Sequence, residues 1–359
     1  MGQPPRVTVV TNYPSPYQVE LFDALTQSGQ VELQVLYTNT ALHDRQWQQQ
    51  AKQHAHRFIE QPPAGSIAEL QTCALAVFTH YQPAWVRQQL TQRHRSGKPW
   101  CFWGERPGAS GWRWLGSWRR RWYLRDLHRS RAAIWGIGQW AVQAWQAEFG
   151  KQRPYFNVPY FSNLQRFIGQ RKLKETSDHI RLLYSGSLIH RKGVDLLARV
   201  CSRLLPQWPA LEVDWVGDGP LQSDLQSMLA PWKDRVRFHG FQQWGDLPRY
   251  YAEADLLCVP SRYDGWAMVV PEGLAAGLPV IATDRMGAAL DLIQPGHNGW
   301  IIKAGSKAAL ATALQEAMSL QPTQRQSMSE QSAKIIEKHS LAHGVAVWLT
   351  AMNASLAGS

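Results

Sequence analysis

The sequence predicts an α/β protein made of two doubly wound, Rossmann-like domains that face each other across a cleft. Its 359 residues exceed what one compact core usually holds. Both halves alternate short β-branched runs with longer helical patterns, which is typical of parallel sheets covered by helices. A polar stretch, residues 165–179, separates the halves. We therefore predict an N-terminal domain over 1–165, a second domain over 166–335, and a C-terminal helix within 336–359 that returns toward the N-terminal domain.

The individual elements follow from the same patterns. In the first half, runs of apolar and β-branched residues predict strands at 6–11, 31–36, 75–78 and 100–103. Apolar residues at helical spacing, such as Val19, Phe22 and Leu25, predict helices between them. In the second half, the predicted strands are 180–184, 211–216, 235–239, 255–259 and 280–283, and the predicted helices are 192–205, 221–229, 247–254 and 271–276.

The charge of the chain is uneven. Residues 1–165 carry 18 Lys and Arg against 9 Asp and Glu, whereas residues 166–359 carry 20 against 18. A basic domain favours an acidic partner, which could be nucleic acid, an anionic membrane surface or a phosphorylated substrate. The basic excess therefore belongs to the N-terminal domain and points to a partner that the second domain does not share.

The cysteines and the N-terminal sequence predict the cellular compartment of the protein. The four cysteines are scattered without a Cys-x-x-Cys pair, which argues against a zinc site or a disulfide framework and fits a reducing compartment. No secretory signal precedes the first predicted strand, and no apolar run reaches the length that spans a bilayer. We expect a cytoplasmic protein, peripheral at most to the inner face of the membrane.

Two carboxylates follow a strand end in the second half. Asp264 comes after the predicted strand 255–259, and Glu272 follows it with seven residues between them. We expect Pro271 to open the next helix, because its missing N–H costs nothing there. A carboxylate in the first helical turn is placed to accept the two hydroxyls of a ribose. The alternative is that Glu272 only complements the helix dipole and Asp264 only forms a turn.

Cations follow the first strand of the same half. Gly186 and Ser187 form a turn after strand 180–184, and Arg191 and Lys192 stand at the start of the next helix. A diphosphate is bound by a helix N-terminus with a Lys or Arg beside it. Surface cations before a helix are a common alternative explanation.

These motifs together resemble the donor-binding domain of retaining glycosyltransferase family 4, the group 1 glycosyl transferases, which have the GT-B fold. The resemblance spans residues 183–302. The family's Glu-x7-Glu signature corresponds to Asp264-x7-Glu272, and its Glu-Gly-Phe-Gly-Leu opening corresponds to Asp264-Gly265-Trp266-Ala267-Met268. The other matching motifs are Lys192-Gly193-Val194-Asp195, Val216-Gly-Asp-Gly-Pro220 and Gly277-Leu-Pro-Val-Ile-Ala282.

The resemblance implies a role for each matching residue. Lys192 would neutralise the diphosphate of the donor, Glu272 would bind the ribose, and Asp264 would contact the transferred sugar as a catalytic residue. The N–H groups of 266–268 would hold phosphate and sugar hydroxyls, without a metal or other cofactor. The full implied donor-binding set is Gly186, Ser187, Arg191, Lys192, Gly217, Phe241 (beside the base), Gly265, Trp266, Ala267, Met268 and Glu272.

Two positions depart from the family pattern. Ser187 stands where the family usually has an arginine, so that Arg191 is the candidate to complete the diphosphate clamp. Asp264 replaces the first glutamate and is one methylene shorter. These changes alter the expected grip on the diphosphate and the reach toward the donor sugar.

The first half supplies candidate acceptor residues, because enzymes of this fold bind their acceptor on the N-terminal domain. Pro16 and Tyr17 follow the first predicted strand, where they could contact a sugar or only shape the turn. His80 and Glu105 follow the third and fourth strands and are candidate catalytic residues that could position or deprotonate an acceptor hydroxyl. A structural role for His80 is the alternative.

The segment 112–131 combines tryptophan with arginine. Trp114, Trp118 and Trp122 recur every four residues on one predicted helical face, and an arginine stripe (121, 125 and 129) lies on another. Such a helix is typical of the surface of an anionic membrane. The alternatives are a tryptophan face packed on the sheet beside a solvated arginine face, or contact with nucleic acid.

The sequence therefore predicts a retaining, metal-independent hexosyltransferase. It would move a sugar from a nucleotide diphosphate sugar to the hydroxyl of a glycan or lipid-linked acceptor, in cell-envelope or other glycan assembly. The alternatives are a sugar-nucleotide epimerase on the same scaffold and a non-catalytic protein that binds nucleic acid or an anionic surface.

Overall fold

The computed structural model describes residues 3–40, 52–59, 61, 64–107, 113–169 and 179–358. The chain divides into two compact units. The first unit consists of residues 1–162 and 341–359, and the second consists of residues 163–340. Each unit is built on one parallel sheet with helices on its faces.

The first unit contains a seven-stranded parallel sheet in the order β3-β2-β1-β4-β5-β6-β7. Val9 on β1, an inner strand, pairs with Val35 on one side and with Val77 on the other. The inner strands are buried almost throughout, as their continuous apolar sequences require when both faces of a sheet are covered. The strands are β1 (Arg6–Thr11), β2 (Glu32–Tyr37), β3 (Ala55–Phe58), β4 (Leu75–Phe78), β5 (Trp100–Gly104), β6 (Ala133–Gly136) and β7 (Tyr155–Asn157).

The four strands predicted for this half are present, but three others were missed. The edge strand β3 has the sequence Ala-His-Arg-Phe and lies exposed, so it carries no apolar signal. β7 has only three residues, and β6 has four, with the sequence Ala-Ile-Trp-Gly just ahead of a helical pattern.

Among the described residues before 162, six helices follow strands of the first unit. Their apolar faces pack on the sheet through buried residues such as Phe22, Leu90 and Trp145. The helices are α1 (Pro16–Gln27), α2 (Ala68–Thr72), α3 (Ala84–Arg95), α4 (Arg113–Tyr123), α5 (Arg125–Arg129) and α6 (Gln139–Phe149).

Helices α4 and α5 correct two interpretations of the segment 112–131. The helix breaks at Leu124, whose side chain is buried, so the arginines at 121, 125 and 129 do not form one stripe along a single helix. Trp118 and Trp122 are 70% and 59% exposed, so the alternative that packed them on the sheet is wrong for these two residues. Trp112 and the side chain of Trp114 lie outside the described residues.

The second unit contains a six-stranded parallel sheet in the order β10-β9-β8-β11-β12-β13. The five predicted strands are present with ends shifted by at most one residue, and the four-residue edge strand β13 was missed. The predicted linker falls partly on residues 170–178, which lie outside the described residues. The strands are β8 (Ile180–Ser185), β9 (Leu211–Val216), β10 (Val236–Phe238), β11 (Leu256–Val259), β12 (Val280–Thr283) and β13 (Gly299–Ile302).

Helices cover this sheet, and one further helix belongs to the first unit. The second-unit helices are α7 (Val194–Leu204), α8 (Gln222–Leu229), α9 (Leu247–Glu253), α10 (Val269–Ala275), α11 (Gly287–Leu292), α12 (Lys307–Met318) and α13 (Pro322–Glu337). Helix α14 (Leu341–Ala357) packs in the first unit, where Trp348 meets the ring of Trp135 edge-on at 5.3 Å and Ser355 accepts a hydrogen bond from the Trp135 indole. In the part of the chain that the structure describes, no helix is long and apolar enough to cross a bilayer.

Candidate functional site

The second sheet changes direction between β8 and β11. From β8 the chain continues outward through β9 and β10, and it then returns to add β11, β12 and β13 on the other side. In parallel sheets, ligands bind outside the carboxyl ends of the strands at such a switch point. The residues that follow β8 and β11 include Lys192 and Asp264, so the two strand-end motifs of the sequence meet where this architecture places a ligand.

Glycines bring the strand-end loops into backbone contact. Gly217 has φ of 127°, and a Cβ added there would lie 2.1 Å from the carbonyl oxygen of Gly186. Gly193 has φ of 72°, and a Cβ there would lie 2.0 Å from the carbonyl oxygen of Pro260. No side chain fits at either position. The loops after β8, β9 and β11 are therefore locked together, which fixes the positions of the cations on the first of them.

Lys192 and Asp264 form an ion pair at this edge. The Lys192 ammonium donates to Oδ2 of Asp264, and the two side chains are only 15% and 14% exposed. Arg191 lies farther off, with Nη1 3.8 Å from the same oxygen and 3.0 Å from the carbonyl oxygen of Tyr263, to which it donates. Two residues predicted to contact one donor are thus brought together.

The charge on Asp264 is stabilised by its neighbours. Burial alone would raise the pKa of this carboxyl, but the attraction of Lys192, its hydrogen bond, the charge of Arg191 and a hydrogen bond from the Trp266 N–H together hold the pKa below its usual value. Asp264 is therefore ionised at neutral pH. Because the Trp266 N–H is engaged with Asp264, the N–H groups of Ala267 and Met268, which donate to no described group, are the ones open to a ligand.

The loop between the carboxylates contains a strained residue. Ala267 has φ of 75°, and it is the one described residue other than glycine with a positive φ. It occupies the position of a glycine in the family motif. The left-handed region costs an L-residue about 1–2 kcal/mol. Trp266 beside it is buried and stacks on His339 with ring centroids 5.7 Å apart, so the packing around the loop holds the strained conformation.

Replacing Ala267 with glycine should therefore stabilise the protein. We expect the relief of strain to exceed the entropy that glycine adds to the unfolded chain, for a net gain of about 0.5–1 kcal/mol. The measurement is the midpoint of urea unfolding. Ala311→Gly, in the interior of α12, is the matched control and should cost about 1 kcal/mol. A loss of stability in both variants would contradict the strain at Ala267.

Glu272 lies in the first turn of α10, as predicted, but the helix begins earlier than the sequence predicted. The helix begins at Val269 rather than at Pro271, so Pro271 is its third residue and Glu272 its fourth. Proline is still tolerated, because the first four N–H groups of a helix have no partner within it. Glu272 is 1% exposed, and its Oε2 accepts a 2.7 Å hydrogen bond from the hydroxyl of Tyr251.

Tyr251 is a site residue that sequence reasoning missed. Its ring is fully buried, and its hydroxyl also accepts a hydrogen bond from Ser185 at the end of β8. Burial, together with the negative charge of Glu272, raises the pKa of Tyr251 well above its usual value, so the hydroxyl keeps its proton. The relay from Ser185 through Tyr251 fixes one oxygen of the Glu272 carboxylate. The only signal in the sequence was the position of Tyr251 in a predicted helix.

Arg262 is a second residue that was missed. It forms a two-pronged ion pair with Asp195, at 2.6 and 2.9 Å, and it also donates to the carbonyl oxygen of His190. Burial would raise the pKa of Asp195, but the hydrogen bonds and charge of Arg262 outweigh it and lower that pKa. This pair ties the loop after β11 to the start of α7 and so supports the position of Lys192.

The remaining predicted donor residues lie at the same edge. Ser187 offers its carbonyl oxygen to the hydroxyl of Tyr184, at 2.9 Å, and Phe241 is half-buried after β10. Gly265 is buried within the strained loop. Among the residues that the structure describes, no cluster of three or more His, Cys, Asp or Glu could hold a metal. The expectation of metal independence stays a prediction.

Two of the residues predicted for the acceptor side, Tyr17 and Glu105, meet around Tyr160 in the first unit. Pro16 is the first residue of α1, and the ring of Tyr17 packs on Tyr160 with centroids 4.7 Å apart. Tyr160 also hydrogen-bonds to Glu105. Burial, with smaller effects from Glu105 and nearby tyrosines, raises the pKa of Tyr160 well above its usual value. Tyr160, another residue that the sequence did not single out, therefore joins two that it did.

His80 lies after β4 in a different environment. Its Nε2 is 3.1 Å from the hydroxyl of Thr38, and burial lowers its pKa to about 4. The imidazole is neutral at pH 7 and is a poor proton acceptor. This environment favours a role for His80 in positioning an acceptor hydroxyl over a role as a general base.

Comparisons with known proteins agree with this architecture. Residues 166–335 match the family model for glycosyl transferases group 1, and this region contains the motifs at 183–302 that carry the resemblance. The amylovoran biosynthesis glycosyltransferase AmsK of Erwinia amylovora is 29% identical over 143 residues, which are 38% of this chain and 35% of that protein. The chain thus spans about a third of the length of this relative.

Two solved structures show the same fold over nearly the whole chain. A glycosyltransferase from Rickettsia africae has a TM-score of 0.77 and 13% identity, and covers 100% of both chains. HepE of Anabaena, in complex with UDP, has a TM-score of 0.76 and 14% identity, and covers 98% of this chain and 100% of its own. The predicted fold class, two parallel-sheet Rossmann-like units as in GT-B glycosyltransferases, is confirmed.

Proposed function

We propose that this chain is a group 1 glycosyltransferase of family 4, which transfers a hexosyl group from a nucleotide diphosphate sugar to an acceptor hydroxyl with retention of configuration and without a metal. The observation that supports this proposal most directly is the Lys192–Asp264 ion pair at the switch point of the second sheet, within the region that matches the family model. The likeness to AmsK, an amylovoran biosynthesis glycosyltransferase, supports a part in glycan assembly. We further infer a glycan or lipid-linked acceptor, in cell-envelope or other glycan assembly, and an enzyme in the cytoplasm at the inner face of the membrane.

The ion pair suggests how the donor is bound. A diphosphate is a better partner for Lys192 than one carboxylate, because it offers more charge and more acceptor oxygens. We infer that Lys192 turns from Asp264 to the diphosphate on binding. Asp264 is then left with Arg191 and the Trp266 N–H, and one of its oxygens becomes available to a hydroxyl of the transferred sugar.

The charge that develops on the leaving diphosphate is met by the chain itself. Lys192, Arg191 and the open N–H groups of Ala267 and Met268 supply cationic or donor groups at one edge of the sheet. Fixed donors aimed at a developing negative charge are usually the largest contribution to catalysis of this kind. Arg191 is the residue that compensates for Ser187 in place of the usual arginine.

Glu272 binds the ribose in this proposal. Tyr251 donates to Oε2 and so fixes the orientation of the carboxylate, whose oxygens accept the ribose hydroxyls. Phe241, after β10, is placed beside the base. The epimerase and the non-catalytic alternatives are less favoured, since the family match covers the donor-binding unit.

A thermal-shift panel of UDP, GDP, ADP and CMP, alone and as sugar conjugates, tests the donor site. Ligand at ~100 times its dissociation constant stabilises a protein by about 2.7 kcal/mol. One nucleotide should raise the melting temperature of the wild type and not that of Lys192→Ala. Lys303→Ala, an exposed lysine of the same unit, is the matched control and should keep the shift.

Transfer itself is followed with the nucleotide sugar that the panel selects. NMR of the product should show the anomeric configuration of the donor, and excess EDTA should leave the rate unchanged. No shift with any nucleotide would contradict the donor site. An inverted product would contradict retention alone.

A further inference from the structure

Helix α4 exposes two tryptophans on one face. Trp118 and Trp122 are four residues apart, so their side chains project from the same side of the helix. They are the two most exposed large hydrophobic side chains among the residues that the structure describes, at 70% and 59%. Large apolar side chains placed together in water mark a surface that another molecule covers.

Arginines surround the two tryptophans. Arg119, Arg121, Arg125 and Arg129 are exposed, and none of them forms an ion pair with a residue that the structure describes. Arg120, by contrast, is turned inward and pairs with Glu148 at 3.1 Å. The one acidic residue of α4 and α5, Asp126, is buried and accepts a hydrogen bond from Thr91. The outer face of these helices is therefore cationic without local compensation.

A cavity opens between α3 and the α4–α5 pair, beside Trp122. Its volume is about 390 Å³, and no carboxylate lines it. Arg87 is fixed in its wall by a 2.7 Å hydrogen bond to the carbonyl oxygen of Tyr81 and by its position 4.2 Å above the ring of Tyr123. Arg95 and Arg125 line the same cavity, and within the described part of the chain neither has an acidic partner. A single phosphate-bearing headgroup fits the size and charge of this space.

We propose that the α3–α5 face docks on an anionic phospholipid bilayer, with Trp118 and Trp122 in the interfacial layer and a lipid phosphate in the cavity between Arg95 and Arg125. A bilayer offers all three partners at once: an apolar boundary for the indoles, a negative surface for the outer arginines, and separate headgroups for the cavity. A nucleic acid strand would need a groove that tracks its backbone, whereas this cavity, of about 390 Å³, has room for a single headgroup. The inference deepens the proposed function, since it gives the enzyme a surface on which to meet a lipid-linked acceptor.

The test measures binding to vesicles without donor or acceptor, so that its outcome is separate from that of sugar transfer. The full-length protein is floated with vesicles of phosphatidylcholine alone and of an equimolar mixture of phosphatidylcholine and phosphatidylglycerol. Two variants are compared with the wild type: Arg95→Gln/Arg125→Gln and Trp118→Ala/Trp122→Ala. The matched controls are Arg199→Gln/Arg203→Gln, an exposed pair on α7, and Leu290→Ala, an exposed apolar residue of α11.

We expect the wild type to bind the mixed vesicles and not the neutral ones. The arginine variant should lose about 30-fold in partition, at ~1 kcal/mol for each arginine, and the tryptophan variant at least about tenfold. Both controls should bind as the wild type does. All these side chains are exposed, so melting temperatures should be unchanged.

Three results would overturn the proposal. The first is wild-type binding in both variants. The second is a loss in the arginine variant alone, which would mean electrostatic attraction without insertion of the indoles. The third is tighter binding to single-stranded oligonucleotides than to vesicles, lost in the same two variants, which would assign the surface to nucleic acid.

Discussion

Lys192→Ala should lower the rate of sugar transfer by at least about 100-fold, because it removes the cation placed closest to the site of the leaving group. Lys303→Ala should leave the rate unchanged.

The Lys192→Ala variant should also be less stable than the wild type in the absence of ligand. Lys192 is the main attraction that offsets the burial of Asp264, so the carboxylate would be left buried with only Arg191, 3.8 Å away, as a cationic partner. The expected cost is about 1–3 kcal/mol.

The double variant Lys192→Ala/Asp264→Asn separates the two effects. Neutralising the carboxyl removes the uncompensated charge, so we expect most of the stability to return while transfer stays absent. Urea unfolding measures the free energy of unfolding, and an assay of sugar transfer on the same preparations measures the rate. If activity returned together with stability, Lys192 would be a structural residue and its assignment to the diphosphate would be wrong.

The single Lys192→Ala variant should also change how the free energy of unfolding depends on pH. With Lys192 present, the folded-state pKa of Asp264 lies below its ordinary value, so the pair contributes stability above that ordinary value and loses it as the pH falls through the folded-state pKa. Without Lys192, burial is the largest remaining influence and raises the pKa. The variant should therefore become relatively more stable as the pH falls, which is the opposite sign.

Glu272→Gln should weaken nucleotide binding by about tenfold, and Glu272→Ala by about 100-fold. A hydrogen bond to a charged group is worth about 1.5–3 kcal/mol, and the amide keeps the shape of the carboxylate but not its charge. The alanine variant also leaves the buried hydroxyl of Tyr251 without its acceptor, which should cost about 1–3 kcal/mol of stability. Calorimetric titration of the nucleotide selected by thermal shift measures the affinities.

A ligand without ribose hydroxyls tests the assignment directly. The corresponding 2′,3′-dideoxynucleoside diphosphate should bind wild type and Glu272→Gln with similar affinity, since the contact is absent in both. Tyr251→Phe should weaken binding of the ordinary nucleotide several-fold by freeing the carboxylate, and Tyr250→Phe, its half-buried neighbour, is the matched control. If Glu272→Gln weakened binding of the dideoxy ligand as much as binding of the ordinary nucleotide, Glu272 would not contact the ribose.

The sequence predicted nine of the thirteen strands and missed three edge strands, β3, β7 and β13, together with the interior strand β6. β1, β4, β9 and β12 have the predicted bounds because buried parallel strands are continuously apolar. β3 is an exposed edge strand whose sequence, Ala-His-Arg-Phe, carries no apolar run, because one of its sides meets water. The start of α10 was misplaced because Pro271 fits the third position of a helix as well as the first.

The candidate site was predictable where its residues stand in short motifs next to strand ends. Lys192 and Asp264 were found this way, but their pairing was not, because 71 residues separate them and the glycine contacts that bring them together are long-range. Tyr251, Arg262 and Tyr160 act through neighbours distant in sequence, and no local pattern distinguishes them from core or surface residues. Exposure of Trp118 and Trp122 was equally undetermined, since the periodicity of a helix does not say which face meets the sheet.

Helix α14 has a consequence for the order in which the protein assembles. Trp348 and Ser355 complete the packing around Trp135, yet they are encoded after every residue of the second unit. During synthesis, the second unit can finish folding while the first still exposes the surface around Trp135. An N-terminal domain usually folds first on the ribosome, but here the first unit is completed only after the second unit has been synthesised. A chain that is released before α14 is made would expose the surface around Trp135, which favours aggregation.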